Sequence, residues 1–352
     1  MIRYHPPGWQ PYGFGQRMAA EWQKQLAEAV RDPAELLRML DLDPSLTEPA
    51  AAGRQFPLRV PRAFIARMRK GDPGDPLLRQ VLPLAAEMQA HAGYSSDPVG
   101  DLASRAAPGV LHKYQGRVLL ITTGVCGIHC RYCFRRHFPY AQEHARQQGW
   151  AEALTYIRAD NSIQEVILSG GDPLSLNDEA LAGLVAELER IPHLLRLRLH
   201  TRQPVVLPSR VDDRLLAWLA ACKLQKIMVL HVNHARELDS DVATALARLH
   251  STGALLLNQS VLLRDVNDSV AALAELSQAL FARGVLPYYL NLLDPVQGAA
   301  HFEVPEPQAL ALMQGLRARL PGYLVPRLVR EVPGAPSKIP VSESAFATPA
   351  GG

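Results

Sequence analysis

No apolar run approaches the ~20 residues that a membrane-spanning helix needs, and the opening stretch MIRYHPPGWQPYGFGQ has no signal-peptide core. Both absences point to a cytoplasmic protein without a membrane partner. Only four cysteines occur in 352 residues, and three are clustered, which does not suit a secreted disulfide framework. Long Lys/Arg blocks are missing and the net charge is only +3, so no direct nucleic-acid partner is expected. Low-complexity tracts and identical internal repeats are missing too. What is present is a globular balance, 48% hydrophobic and 20% charged, able to bury a real core.

Residues 1–100 read as a mainly helical region. MAAEWQKQLAEAV puts Trp22, Leu26, Ala29 and Val30 on one helical face. RDPAELLRML offers Asp32 as N-cap, Pro33 at the first helical position and Glu35 three residues after the cap. Phe64, Ile65 and Met68 suggest a short helix, GDPGDP is a turn-rich break, and a further helix is expected over Leu77 to Gln89. From about residue 115 the rhythm changes. RVLLITT, QEVILSGG, LLRLRLHT, KIMVLHVN, ALLLNQSVLL and LPYYLNLL are β-prone, and amphipathic stretches such as DEALAGLVAELERI and DSVAALAELSQALFARG separate them. About six strand–helix units over residues 101–340 predict an α/β fold, an open or complete barrel rather than an ordinary doubly wound sheet, and a partial (βα)6-type barrel is the fold expected. ESAFATPAGG, within residues 341–352, reads as a loose tail.

In such a barrel, functional residues sit where strands run into the following loops. The chemically interesting residues fall there: the cysteines after RVLLITT, SGGDP after QEVIL, His200, Thr201 and Arg202 after LLRLRL, His231, Asn233 and His234 after KIMVL, Asn258 and Gln259 after ALLL, and Asp294 after LPYYLNLL.

Cys126, Cys130 and Cys133 have the spacing C-x3-C-x2-C. A closed structural zinc site needs four ligands. His129 or His137 could supply the fourth, whereas Cys222 reads as a buried apolar residue in a helix. Three thiolates alone suit an iron–sulfur cluster with one iron left open for a ligand.

CGIHCRYC resembles the signature of the radical S-adenosylmethionine (SAM) enzymes, in which the open iron of a [4Fe-4S] cluster chelates SAM. The aromatic Tyr132 fits that signature. SGGDP, with Ser169, Gly170 and Gly171, matches the strand end that meets the methionine amino group of SAM. HKYQGRVLLITTGVCGIHCRYCFRRHF, TRQPVVLP, HVNH, NQSVLLRDVND, PYYLNLLDPVQGAAHF and PGAPSKIP together resemble the lysine 2,3-aminomutase family over roughly residues 95–340. WQKQLAEAVRDPAELLRMLDL and CRYCFRRHFPY resemble its branch that makes (R)-β-lysine for elongation factor P.

That resemblance implies conversion of (S)-α-lysine to β-lysine with SAM, the cluster and pyridoxal phosphate (PLP). It implies an electron donor and a functional link to a β-lysine ligase and elongation factor P. An amine migrates between adjacent carbons far more readily as an imine, which PLP supplies. Lys338 matches the family lysine that carries resting PLP. Lys113, Tyr114, Arg117 and Arg202 match its phosphate-binding groups, and His231 and Gln259 lie around the cofactors. Arg135 matches the arginine for the substrate carboxylate, and Asp294 and Glu331 match the acids for its ε-ammonium. Arg136 reads as structural or electrostatic. Two departures stand out: Lys113 replaces a family arginine and Glu331 a family aspartate. The other readings are a radical SAM enzyme acting on another amino acid, one modifying RNA or protein without PLP, and a zinc-bearing nucleic-acid module.

Overall fold

The computed structural model describes residues 20–47, 52–142 and 150–342. The sequence MIRYHPPGWQPYGFGQ and the tail ESAFATPAGG lie outside them. One ten-stranded sheet dominates, with strands in sequential order: β1 Arg105–Ala107, β2 Val110–Tyr114, β3 Arg117–Thr123, β4 Glu165–Gly170, β5 Arg196–Thr201, β6 Gln225–Leu230, β7 Leu255–Val261, β8 Leu286–Asn291, β9 Arg327–Arg330 and β10 Ile339–Pro340. Strands β3 to β9 are parallel. β1 and β2 add an antiparallel hairpin at one edge, and β10 pairs antiparallel with β9 at the other. A helix follows each of β3 to β8: Ala151–Ala159, Asp178–Glu189, Asp213–Ala221, Ser240–His250, Val270–Phe281 and Glu306–Arg319. This is the expected six-unit partial barrel, extended by β9.

The units form for local reasons. Asn177, Asp212, Asp239 and Ser269 each accept a backbone N–H of the helix they precede, which satisfies one of its orphan donors. Along β5, Leu197 and Leu199 are buried in the main core, while Arg198, His200 and Thr201 line the cavity inside the barrel. An ordinary barrel fills its interior with layers of apolar side chains. Here polar residues point inward and a cavity of about 660 Å³ remains. No ladder joins β10 to β1 among the described residues. The two edges meet through side chains instead, because Lys113 and Tyr114 of β2 reach Glu331 just past β9.

The described residues before about 100 pack short helices against this barrel. Trp22, Leu26, Leu36, Leu37, Phe64, Ile65, Leu77 and Leu78 share a core with Ile128, Val206 and Leu207, and Cys130 packs against it. Asp32 caps the helix Pro33–Met39 as expected. The single helix expected over Leu77 to Gln89 is not formed. The chain makes Pro76–Arg79, then a 3₁₀ turn at Ala85–Met88. Pro83 lies between them; it has no N–H to donate and disfavours helical backbone at Leu82.

Candidate active site

The β3–β4 ladder continues beyond the strands. Gly171 N donates to Thr123 O at 2.6 Å and Asp172 N to Val125 O at 2.9 Å, which pins the start of the cysteine loop. A Cβ on Gly171 would stand 2.5 Å from Val125 O, and one on Gly170, whose φ is +117°, would stand 2.6 Å from Thr123 O. Asp172 then ties β4 to β5. It accepts from Thr201 Oγ1 at 2.7 Å and from the backbone N–H groups of Arg202 at 2.7 Å and Gln203 at 3.1 Å.

All three clustered cysteines line the cavity. Burial and mutual repulsion push the Cys126 thiol well up and that of Cys133 to about 11. Such thiols become thiolates when a cationic centre compensates them. Among the described residues no three His, Cys, Asp or Glu side chains meet as ligands of one metal ion. A cubane cluster spreads its three thiolates over separate irons, so this donor set suits it. The histidines that could have completed a zinc site are engaged elsewhere: His129 Nδ1 lies 2.7 Å from Pro57 O and His137 Nε2 lies 3.2 Å from Gln297 O. Cys222 is buried in the main core, as expected.

The arginines around the loop divide their work. Arg131 and Arg136 are buried on Glu87, at 2.5 Å and 2.7 Å. Truncating a buried partner of this kind costs about 3–5 kcal/mol. Arg135 instead faces the cavity. Its Nε donates to Asp101 Oδ2 at 2.6 Å, its Nη1 to Ser169 Oγ at 3.2 Å, and its guanidinium stacks 4.8 Å from the Phe134 ring.

At the far side, Lys338 Nζ stands 3.0 Å from Glu331 Oε2 and donates to Asn291 Oδ1 at 3.0 Å. Tyr114 Oη donates to Glu331 Oε1 at 2.5 Å. Burial would raise the Glu331 carboxyl, but Lys338, Tyr114 and Lys113 outweigh it and hold it low. Asp294 faces the same cavity without an ion-pair partner among the described residues, and burial next to Glu331 pushes it up to about 6, with Lys338 and Lys113 opposing. Arg117 stacks 4.5 Å from the Tyr114 ring and likewise has no ion-pair partner among the described residues. It can therefore take an anionic phosphate. His231 is held neutral, at about 3, chiefly by burial, so its Nε2 accepts from Gln259 Nε2 at 2.8 Å.

Every residue matched to the cluster, the cofactors or the substrate lines this one cavity; His234 and Asn258, also at strand ends, do not, His234 accepting from Arg236 N and Asn258 bonding the backbone of Val232. Two of the matched residues stand in unexpected company. Arg202, expected at the phosphate, donates to Cys130 Sγ and Tyr132 Oη at 2.7 Å each, to Gln80 Oε1 at 2.7 Å and to Glu237 Oε2 at 2.9 Å. That commits the guanidinium to the cysteine end. The Lys113 ammonium is 2.7 Å from Asp101 Oδ1. Asp101, Asn291, Gln80 and Glu237 were not legible as site residues, because each takes its role from cationic side chains that only folding brings to it.

A family described as a 4Fe-4S single cluster domain matches residues 115–194. The L-lysine 2,3-aminomutase of Escherichia coli (strain K12) is 50% identical over 325 residues, spanning 91% of this chain and 94% of that protein. The enzyme of the same name from Haemophilus influenzae is 46% identical, spanning 92% and 96%, and that from Clostridium subterminale 33%, spanning 91% and 77%. A radical SAM methyltransferase structure from Sphaerobacter thermophilus aligns over 63% of this chain and 68% of its own, with 20% identity and a TM-score of 0.45. Half-identity over nine-tenths of both chains, on a barrel that gathers three thiols and a lysine into one cavity, places this chain in the lysine 2,3-aminomutase family.

Proposed function

We propose that this protein converts L-lysine to β-lysine by a 1,2-shift of the α-amino group, using a [4Fe-4S] cluster, SAM and PLP. One observation carries the reading. A single cavity holds the three thiols, and an unbroken run of polar contacts, Arg135–Asp101–Lys113–Glu331–Lys338, crosses to the far wall. When bound, the cluster and SAM supply the radical that removes hydrogen from the substrate, and PLP supplies the imine across which nitrogen moves.

The chain's own groups do the holding. Cys126, Cys130 and Cys133 ligate the cluster. Ser169, Gly170 and Gly171 let SAM approach backbone, since the two glycines carry no side chain to block it. Tyr114 and Arg117 hold the PLP phosphate, and Lys338 offers its amine to the cofactor. His231 and Gln259 pack beside the two cofactors as neutral hydrogen-bonding groups. Arg135 takes the substrate carboxylate with the N–H groups that Asp101 and Ser169 leave free. Asp294 and Glu331 take the ε-ammonium. The contact between Lys338 and Glu331 supports this, because an ammonium already lies on that acid as a substrate ammonium would. When Lys338 carries PLP, the acid is released for the substrate.

The (R) product and its use by a ligase in modifying elongation factor P follow from the resemblance of WQKQLAEAVRDPAELLRMLDL and CRYCFRRHFPY to that branch. No described helix is long and apolar enough to cross a membrane.

An anaerobic assay with SAM, PLP, a strong reductant and L-lysine, read by chiral chromatography, tests the reading. β-Lysine is expected from the wild type and is lost in Cys130→Ala and Lys338→Ala. Release of 5′-deoxyadenosine without β-lysine would leave radical chemistry intact and rule out lysine as the substrate.

A further inference from the structure

Asp101 divides its two oxygens between two cations. Oδ2 accepts from Arg135 Nε at 2.6 Å, and Oδ1 lies 2.7 Å from Lys113 Nζ. The Lys113 ammonium also donates to Val99 O at 2.7 Å and stands 3.6 Å from Glu331 Oε1. Three oxygens from two segments, residues 99–101 and Glu331, therefore surround it. An ammonium so placed has little left for a phosphate, whereas Arg117 on the same hairpin has no ion-pair partner among the described residues.

We propose that Asp101 and Lys113 form a buried strut joining the two ends of the lysine site, with Asp101 orienting Arg135 and Lys113 orienting Glu331. This rests on the assignment of Arg135 and Glu331 to substrate carboxylate and ammonium given above. A guanidinium whose Nε is clamped cannot rotate in its plane, so its remaining N–H groups present a fixed fork to a carboxylate. At the other end, one ammonium between two carboxylates removes their repulsion and fixes the longer glutamate. Asp101 and Lys113 are positioning residues, since both act through groups that touch the substrate.

Lysine affinity and PLP affinity separate this strut from a phosphate role. PLP binding is followed by its visible absorbance in the cluster-loaded enzyme, and lysine binding by KM and by the absorbance change it causes. Lys113→Met is expected to raise the lysine constants about 10- to 100-fold and to leave PLP affinity within about twofold. Asp101→Asn should show the same split, and the double variant should be little worse than either single one. Asp101→Glu, which keeps the charge, and Lys113→Arg stand in if the first pair does not fold, with the same split expected at smaller size. PLP affinity falling as much as lysine affinity, or neither changing, overturns the strut and returns Lys113 to the phosphate. Wild type that forms no β-lysine sinks both the strut and the reaction. Wild type that forms it while the variants show no split sinks the strut alone.

Discussion

Asp294 shows how much one buried carboxyl decides. Burial beside Glu331 lifts it to about 6, so it is largely protonated in mild acid and cannot then pair with an ammonium. Lysine affinity is therefore expected to hold above about pH 7 and to fall as pH drops through about 6. A substrate ammonium favours the ionised form, so binding near pH 6 should release a proton. Calorimetric titration of lysine in two buffers of different ionisation enthalpy measures that release. Asp294→Asn should abolish it and flatten the acid limb; an unchanged acid limb would assign the titration to another group. Among single residues, the sequence was informative where chemistry is rare. Three spaced cysteines are legible because few other duties need them there, whereas Lys338 in PGAPSKIP stands out only through the family resemblance. Asp101 in PVGDLAS carries no such mark, since an aspartate in a loop is usually a surface or turn residue, and only its two cations reveal it.

Among the elements, the cysteine loop depends on glycines that a side chain would displace. A Cβ on Gly171 would meet backbone of Gly124 and Val125, at 2.8 Å and 2.5 Å, and backbone cannot yield as a flexible side chain does. Gly171→Ala is expected to lower iron content after anaerobic reconstitution sharply and to destabilise by about 1–3 kcal/mol. Gly183, inside the helix Asp178–Glu189, is the control, since a Cβ there would have nothing within 4 Å. Gly183→Ala should keep full iron content and gain about 0.5–1 kcal/mol. Equal iron loss in both would show that the close approach at 171 does not matter. The six strands were legible because short β-prone runs alternated with amphipathic stretches. The helix expected over Leu77 to Gln89 failed because its apolar periodicity ran across Pro83. β1, β9 and β10, with two to four residues each, are too short to show any period, and their pairing with longer neighbours creates them.

Over the whole molecule, the helices before residue 100 and the cysteine loop share one core, through Ile128 and Cys130. Their stabilities are therefore linked. A cluster bound only by the folded chain stabilises it by mass action. Anaerobic chelation is expected to lower the thermal midpoint by about 5 °C or more. The helices packed on Ile128 should become more open to protease at the same time. Cys126→Ser should show the lower midpoint from the outset and no response to chelation. A chelation-insensitive wild-type midpoint would mean that the cluster adds nothing to this packing.

Local sequence was enough for the six strand–helix units and the cysteine spacing, because periodicity and rare residue types are local properties; the lysine loop was legible only through the family resemblance of PGAPSKIP. Local sequence also placed the interesting residues at strand ends, and the parallel register turned most of them, though not His234 and Asn258, toward one cavity. The partners were settled only by folding. Arg202 lies on Cys130, Lys113 lies between Asp101 and Glu331, and the two sheet edges meet through β2 and the segment after β9. Ion pairing depends on distance through space, and residues 101, 113, 135 and 331 become neighbours only when the barrel curls its first and last strands toward each other.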